Sequence, residues 1–212
     1  MKKTVLLTIV LLFLIFSLSA SPNWVGVQGF GWKSDQTVTA TFLGSSSTQS
    51  AIGEGVGLII AGSFFPSQDS MFGLGYQLGA TSAQEITVDG ITSSVGSDEP
   101  LTWRAGATSQ YRTDISDFLS LELGVGILYE IYSKTETSGG IEATMTSDTI
   151  SLLATTNLLF NMTDSLSLVG GIDVCFPILA TAKISSSGIT AKPDVDIKGN
   201  ALQAKIGIAF KL

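Results

Sequence analysis

Residues 119 to 131 read Leu119-Ser120-Leu121-Glu122-Leu123-Gly124-Val125-Gly126-Ile127-Leu128-Tyr129-Glu130-Ile131. Large apolar side chains fill every odd position, while the even ones are mostly small or charged. A period of two puts all the odd side chains on one face of an extended chain. The stretch therefore predicts a β-strand with an oily face and a face of Ser, Glu and Gly.

The same alternation recurs on both sides of it. Val56, Leu58, Ile60 and Phe64 share a face, as do Phe72, Leu74, Tyr76, Leu78 and Ala80. Further runs are Leu101, Trp103, Ala105, Ala107 and Tyr111; Ile150, Leu152, Ala154, Leu158 and Phe160; and Leu166, Leu168, Ile172, Val174 and Phe176. The last is Leu202, Ala204, Ile206, Ile208, Phe210 and Leu212. Adding Trp24 to Trp32 makes eight strands. In that first segment Val25 and Val27 compete with Trp24, Phe30 and Trp32 for the apolar face, which calls for a bulge or for aromatics turned into a lumen.

Connections alternate in length. Phe65 to Ser70, Thr113 to Asp117 and Asn161 to Asp164 are short, while Lys33 to Ala51, Ser82 to Pro100, Ser133 to Ser147 and Pro177 to Gly199 are long. Alternating long and short links, with both chain ends on the short side, predict an all-β, antiparallel, up-and-down barrel. The long links are rich in small polar residues, as in Ser45-Ser46-Ser47 and Ser185-Ser186-Ser187, and are expected to be solvated surface loops.

Composition bounds the setting. The chain has 212 residues, of which 49 are Ser or Thr, 23 are Gly and none is His. Charged residues are 14% and mean hydropathy is +0.40, so there is enough apolar material to fold. A formal charge of −7 makes nucleic acid an unexpected partner. Lys2 and Lys3, the apolar stretch from Val5 to Phe16 and the small residues Ser17, Ser19 and Ala20 read as a removable signal peptide helix over residues 1–20. Cleavage is expected after Ser19 or Ala20, leaving 21–212 as one barrel domain. No apolar run of spanning length follows Pro22, so any membrane crossing would be made by strands.

Alternation alone does not separate a membrane barrel from a soluble lipocalin-like carrier, since each has one apolar and one polar face. The polar face decides between them. It carries Gly55, Gly57, Gly73, Gly75, Gly79, Gly106, Gly124, Gly126, Gly171 and Gly207 rather than the Lys and Glu a water-facing wall needs. In strands two to eight no charge falls on the apolar parity, and Arg104, Arg112, Glu122, Glu130, Asp173, Lys205 and Lys211 all take the other one. A Lys or Arg facing lipid at mid-depth costs ~2–4 kcal/mol, which explains such segregation. Phe64, Phe72, Tyr111 and Phe160 lie near the short turns, and Trp103, Tyr129 and Phe176 lie toward the long links, as the two interfacial girdles of a transmembrane barrel would.

The terminal segment Lys205-Ile206-Gly207-Ile208-Ala209-Phe210-Lys211-Leu212 resembles the C-terminal assembly signal of outer-membrane barrels, with Gly207, Phe210 and Leu212 in the matching places. Its last residue is Leu where that pattern commonly has Phe. From Trp24 to Leu212 the chain is similar in architecture to the small eight-stranded outer-membrane β-barrels typified by the OmpA membrane domain, OmpX and OmpW. The resemblance implies an outer-membrane protein of a diderm bacterium, recognised by the barrel-assembly machinery, surrounded by outer-membrane lipid and monomeric.

An eight-stranded barrel is just wide enough for side chains. Arg104, Asp173 and Lys205 come to similar heights, with Glu122 a little lower and Gln77 and Glu130 nearby, so a lumenal polar network of these six residues is expected. It either fixes the strands in register or gates a polar path. The lumenal glycines leave room for long neighbours or for a cavity. With no His as a base and Glu122 and Glu130 eight residues apart, an enzyme is not expected, nor is a cofactor. Cys175 reads as a small buried side chain, and Asp98, Glu99, Asp194 and Asp196 as solvated acidic residues on the long links. Three functions fit: a structural or surface-interaction protein whose long loops meet a ligand of unidentified chemistry, a narrow channel or conduit for small hydrophobic compounds, and the soluble periplasmic carrier.

Overall fold

A computed structural model describes residues 24–212 except Gln68, Ser97, Gly139 and Gly140. The signal-peptide reading of residues 1–20 lies outside the described residues. The strands are β1 (Trp24–Phe42), β2 (Ser45–Phe64), β3 (Phe72–Val88), β4 (Ile91–Ser94), β5 (Thr102–Ser116), β6 (Leu119–Ser138), β7 (Ile141–Asn161), β8 (Leu166–Ser186), β9 (Ile189–Ala191) and β10 (Asp194–Lys211). Eight of them close a ring, β1-β2-β3-β5-β6-β7-β8-β10, all antiparallel, and β10 returns to pair with β1. Closure removes the free sheet edges that hydrocarbon does not tolerate, apart from one interruption in the β8–β10 ladder. The short β4 and β9 pair with β3 and β8.

The apolar parity faces outward. Val56, Leu58, Ile60, Leu74, Leu123, Val125, Ile127, Leu152, Ile172, Leu202, Ile206 and Ile208 are exposed, while Arg104, Glu122, Asp173 and Lys205 are buried in the lumen. A water-soluble carrier has the opposite arrangement, so the lipocalin-like alternative is excluded. Aromatics rim the outer wall at both ends of this band. Phe72 packs on Tyr111 and Phe118 on Phe160, each with ring centroids 5.6 Å apart, at the inner end, and Trp103 and Phe176 are exposed at the other.

The first strand follows the second of its two alternatives. Its ladders with β2 and β10 run without a register shift, so there is no bulge. Trp24 and Phe30 are buried inside while Val27 faces out. Register explains how the barrel holds such large rings. Trp32 stands opposite Gly55 and Phe30 opposite Gly57. A Cβ on Gly57 would come 2.3 Å from Phe30 Cζ and 2.8 Å from the Ala80 carbonyl oxygen. The lumenal glycines thus make room for neighbouring side chains, Gly75 for Gln110 and Gly171 for Lys205 among them. Gly57→Val is expected to cost ~1–3 kcal/mol by overpacking, read as a lower temperature for loss of the compact band in semi-native gels. An unchanged temperature would mean that Phe30 does not depend on that space.

The long connections differ from the loop expectation. Lys33 to Ala51 is almost entirely strand, and β1 and β2 stay paired up to Phe42↔Ser45. Leu43-Gly44, Asp89-Gly90 and Ser187-Gly188 have positive φ at both residues, as tight two-residue hairpin turns require. Hydroxyl pairs knit these extensions: Thr39 with Thr48 at 2.9 Å, Thr87 with Thr92 at 2.8 Å, and Thr135 with Thr144 at 2.9 Å. The Ser and Thr content is cross-strand pairing above the apolar band, not loop composition.

One seam is incomplete. The β8–β10 ladder runs from Phe210↔Leu166 to Ala201↔Cys175 and resumes only at Val195↔Ala180. Beside it, the β7–β8 register shifts between Ile150↔Leu179 and Ser151↔Pro177. Pro177 has no N–H to give a ladder, which places this bulge where pairing was already weak.

Candidate functional site in the lumen

The six predicted network residues are all lumenal, but they do not form one network. The lower cluster centres on Glu122, which is fully buried. Trp24 Nε1 donates to both its carboxylate oxygens at 3.1 Å, Ser63 Oγ donates at 3.1 Å, and Arg112 donates from Nε at 3.0 Å and Nη2 at 2.5 Å. The Arg112 guanidinium lies 4.0 Å over the centroid of the buried Phe65 ring. A buried carboxylate is tolerable only when its lone pairs are filled in this manner.

The upper cluster is separate. Lys205 Nζ donates to Asp173 Oδ1 at 2.5 Å and to Thr155 Oγ1 at 2.8 Å. Arg104 Nη1 donates to Gln203 Oε1 at 2.8 Å and its guanidinium sits 4.9 Å over the Phe30 ring. Gln203 Nε2 reaches Cys175 Sγ at 3.6 Å, so Cys175 is a buried neighbour of this layer. Gln77 is buried between the clusters, against the space left by Gly106. Glu130 stands opposite Arg104 in the β5–β6 register and lines the space above.

Two cavities flank these clusters. The outer one, about 460 Å³, is lined by Trp32, Ile86, Pro100, Tyr132, Met145, Pro177, Ile197 and Ala201, with Glu130, Cys175 and Gln203. The inner one, about 570 Å³, is lined by Trp24, Arg112, Asp114, Ser120, Asn161 and Lys211. Between them, beside Gln77, Thr155 and Lys205, the free space is about 20 Å³. At the outer rim Glu99 accepts hydrogen bonds from Lys134 Nζ at 2.8 Å and from the Tyr132 hydroxyl. Lys134 and then Tyr132 hold the Glu99 carboxyl below the usual range, while burial and Glu99 push the Tyr132 phenol up to about 12. The Tyr132–Glu99 contact thus keeps its donor and its acceptor throughout the neutral range.

The acidic residues Asp98, Glu99, Asp194 and Asp196 do not converge. Lys134 takes Glu99 and Lys198 takes Asp196 at 3.4 Å, and among the described residues no group of three or more metal-ligating side chains forms.

Among the partners in these clusters, the sequence assigned Arg112 only to the polar parity and Trp24 only to the ambiguous first strand, and it did not single out Ser63, Gln203 or Thr155. For Arg112 a signal existed: it and Glu122 are equidistant from the Asp117 turn, and they pair directly in the β5–β6 register. Trp24 lies 98 residues from Glu122, and only closure of the ring brings the two together.

In sequence the chain matches no protein-family model and no curated protein. In structure it is similar to the outer membrane protein OprG from Pseudomonas aeruginosa, with a TM-score of 0.63 at 12% identity over 91% of this chain and 97% of that one. It is also similar to a major outer membrane protein from Thermus thermophilus, with a TM-score of 0.51 at 14% identity over 87% and 99%. The likeness is one of fold, and it agrees with the exposed apolar band and the closed ladder: this chain is an eight-stranded transmembrane β-barrel of the architecture found in those outer-membrane proteins.

Proposed function

We propose that the protein is an integral outer-membrane barrel, exported by its N-terminal leader and inserted as a monomer through its Gly207-to-Leu212 signal, that admits small, mainly apolar molecules to its outer cavity. The molecules leave sideways toward lipid. The observation that carries this reading is the interrupted β8–β10 ladder: Cys175, Pro177, Ile197 and Ala201 line the cavity at the seam while Phe176, Ile178 and Leu179 are exposed outside it. Where ladder hydrogen bonds are missing, the wall parts without breaking any. The packed Lys205–Asp173 and Arg112–Glu122 pairs support a lumen closed to ions below the cavity.

The test pairs two measurements. Cells expressing the protein should take up an apolar dye faster than cells lacking it, Ala201→Trp should slow that uptake, and planar bilayers should show no discrete current. Equal uptake with and without the protein would overturn the conduit, and a steady current would overturn the closed lumen.

A surface-interaction role is the second reading. Leu43 is 89% exposed at φ 51°, an uncommon conformation for a branched apolar residue, and Ile91, Ile141 and Ile189 are exposed close to the other hairpin ends.

A further inference from the structure

We propose that the outer cavity holds a primary-amine site, so that the molecules admitted include small amphipathic amines whose ammonium group rests on Glu130. This rests on the cavity reading above and adds the head group to it. Glu130 lines the cavity and is half-buried, so its carboxylate is open to a molecule entering from outside. Among the described residues none donates a hydrogen bond to it or closes an ion pair with it. A carboxylate in a confined space is seldom left without donors, so an unfilled one facing a cavity points to a donor brought from outside.

The protein's own cations are engaged elsewhere. Arg104, the cross-strand neighbour of Glu130, is outside the cavity lining, where Nη1 donates to Gln203 and the Phe30 ring packs 4.9 Å from the guanidinium. Its charge acts on Glu130 through space but leaves the carboxylate oxygens without a donor. Lys205 is taken by Asp173 and Thr155, and Lys134 by Glu99 and Glu136. Among the described residues that line the cavity there is no Lys or Arg, whereas Glu99 and Glu130 both line it. Glu99 is already met by Lys134 and the Tyr132 hydroxyl, which leaves Glu130 as the negative group with lone pairs to offer. A cavity of that sign draws in a cation and turns away an anion.

The surroundings suit a primary ammonium better than a metal ion or a quaternary cation. Thr149 stands opposite Glu130 in the β6–β7 ladder and lines the cavity with Ser147 and Ser151 of the same strand. An ammonium has three N–H groups to place, and a carboxylate beside hydroxyl oxygens gives them acceptors. A metal ion needs more ligands, and among the described residues no group of three or more His, Cys, Asp or Glu forms. Around these polar groups Trp32, Ile86, Met145, Pro177 and Ile197 offer an apolar wall to a short hydrocarbon or aromatic tail. Negative charge on one strand and oil around it describe an amine with a tail.

The test compares phenylbutylamine, its trimethylammonium analogue and phenylbutanol, binding at neutral pH to the full protein in zwitterionic lipid nanodiscs, with empty nanodiscs subtracted. The amine is charged there, as a lysine side chain is. The wild type should bind it roughly tenfold or more tighter than the alcohol, as a charge-assisted bond implies, and tighter than the trimethyl analogue, which has no N–H to donate. Glu130→Gln should bring the amine down to the level of the alcohol, while Glu99→Gln, at a carboxylate already paired, should leave the preference standing. Equal binding of amine and alcohol by the wild type overturns the amine site and leaves the cavity reading standing. Binding of neither overturns both. A preference that survives Glu130→Gln, or is lost in Glu99→Gln, overturns the assignment to Glu130, and a trimethyl analogue bound as tightly as the amine overturns the hydrogen-bonded head group. Should Glu130→Gln fail to fold, Thr149→Val, which removes the neighbouring hydroxyl, should weaken the amine several-fold, and an unchanged amine affinity there overturns the site.

Discussion

Glu122→Ala is expected to destabilise the folded barrel by about 3–5 kcal/mol, the cost of stripping one partner from a buried ion pair. The loss exceeds that of one contact because the carboxylate satisfies three neighbours at once: Arg112, the Trp24 indole and the Ser63 hydroxyl. Removing it leaves a guanidinium with 15% of its side chain exposed and an indole N–H facing a void. Denaturant titration in detergent, followed by tryptophan fluorescence and by semi-native gel mobility, measures the change. Glu122→Gln keeps an acceptor and should lose less. The double variant Glu122→Met with Arg112→Met should be more stable than either single change, because no charge then remains unpaired. A single-alanine variant as stable as the wild type would show that the cluster is not what holds β1, β2, β5 and β6 together.

How much of this was legible in the sequence depends on how far the interacting residues lie apart along the wall. Facing was legible in the seven strands after the first, because a period of two leaves no freedom once one residue of a strand is oriented, but not in β1, where Val25 and Val27 compete with Trp24, Phe30 and Trp32. Hairpin neighbours were legible too: Arg112 with Glu122 and Arg104 with Glu130 follow from counting outward from one turn. Contacts across the lumen were not. Arg104 meets Gln203 at a separation of 99 residues, and Trp24 meets Glu122 at 98. These depend on how far the ring is sheared when it closes, which no local pattern encodes. The expected single network split for that reason, since heights counted along separate strands do not tell which side of the lumen a residue occupies. The long connections were misread for a different reason. Ser and Thr runs look like loop, yet Leu43-Gly44, Asp89-Gly90 and Ser187-Gly188 are two-residue turns, and the alternating Thr residues around them pair across the strands.

Val125→Arg is expected to cost about 2–4 kcal/mol when the barrel folds into lipid vesicles, and Ile127→Arg a similar amount. Both side chains point out from the middle of β6, 67% and 56% exposed in the protein alone, between the inner aromatics and Tyr129. In water such positions would tolerate or welcome a charge, because removing an exposed branched apolar side chain harms no packing. In hydrocarbon the guanidinium must drag water or headgroups inward, so the sign of the effect reports the solvent around the wall. Depth supplies the control. Thr135 shares this strand and this face but lies beyond Tyr129, where Thr144 pairs with its hydroxyl at 2.9 Å, and Thr135→Arg should cost no more than about 1 kcal/mol. A steep decline from Val125 to Thr135 requires a membrane around the lower barrel and water around the upper hairpins. Equal tolerance at both depths would mean that the apolar band is covered by something other than lipid, and the lateral exit would then open onto a partner surface instead.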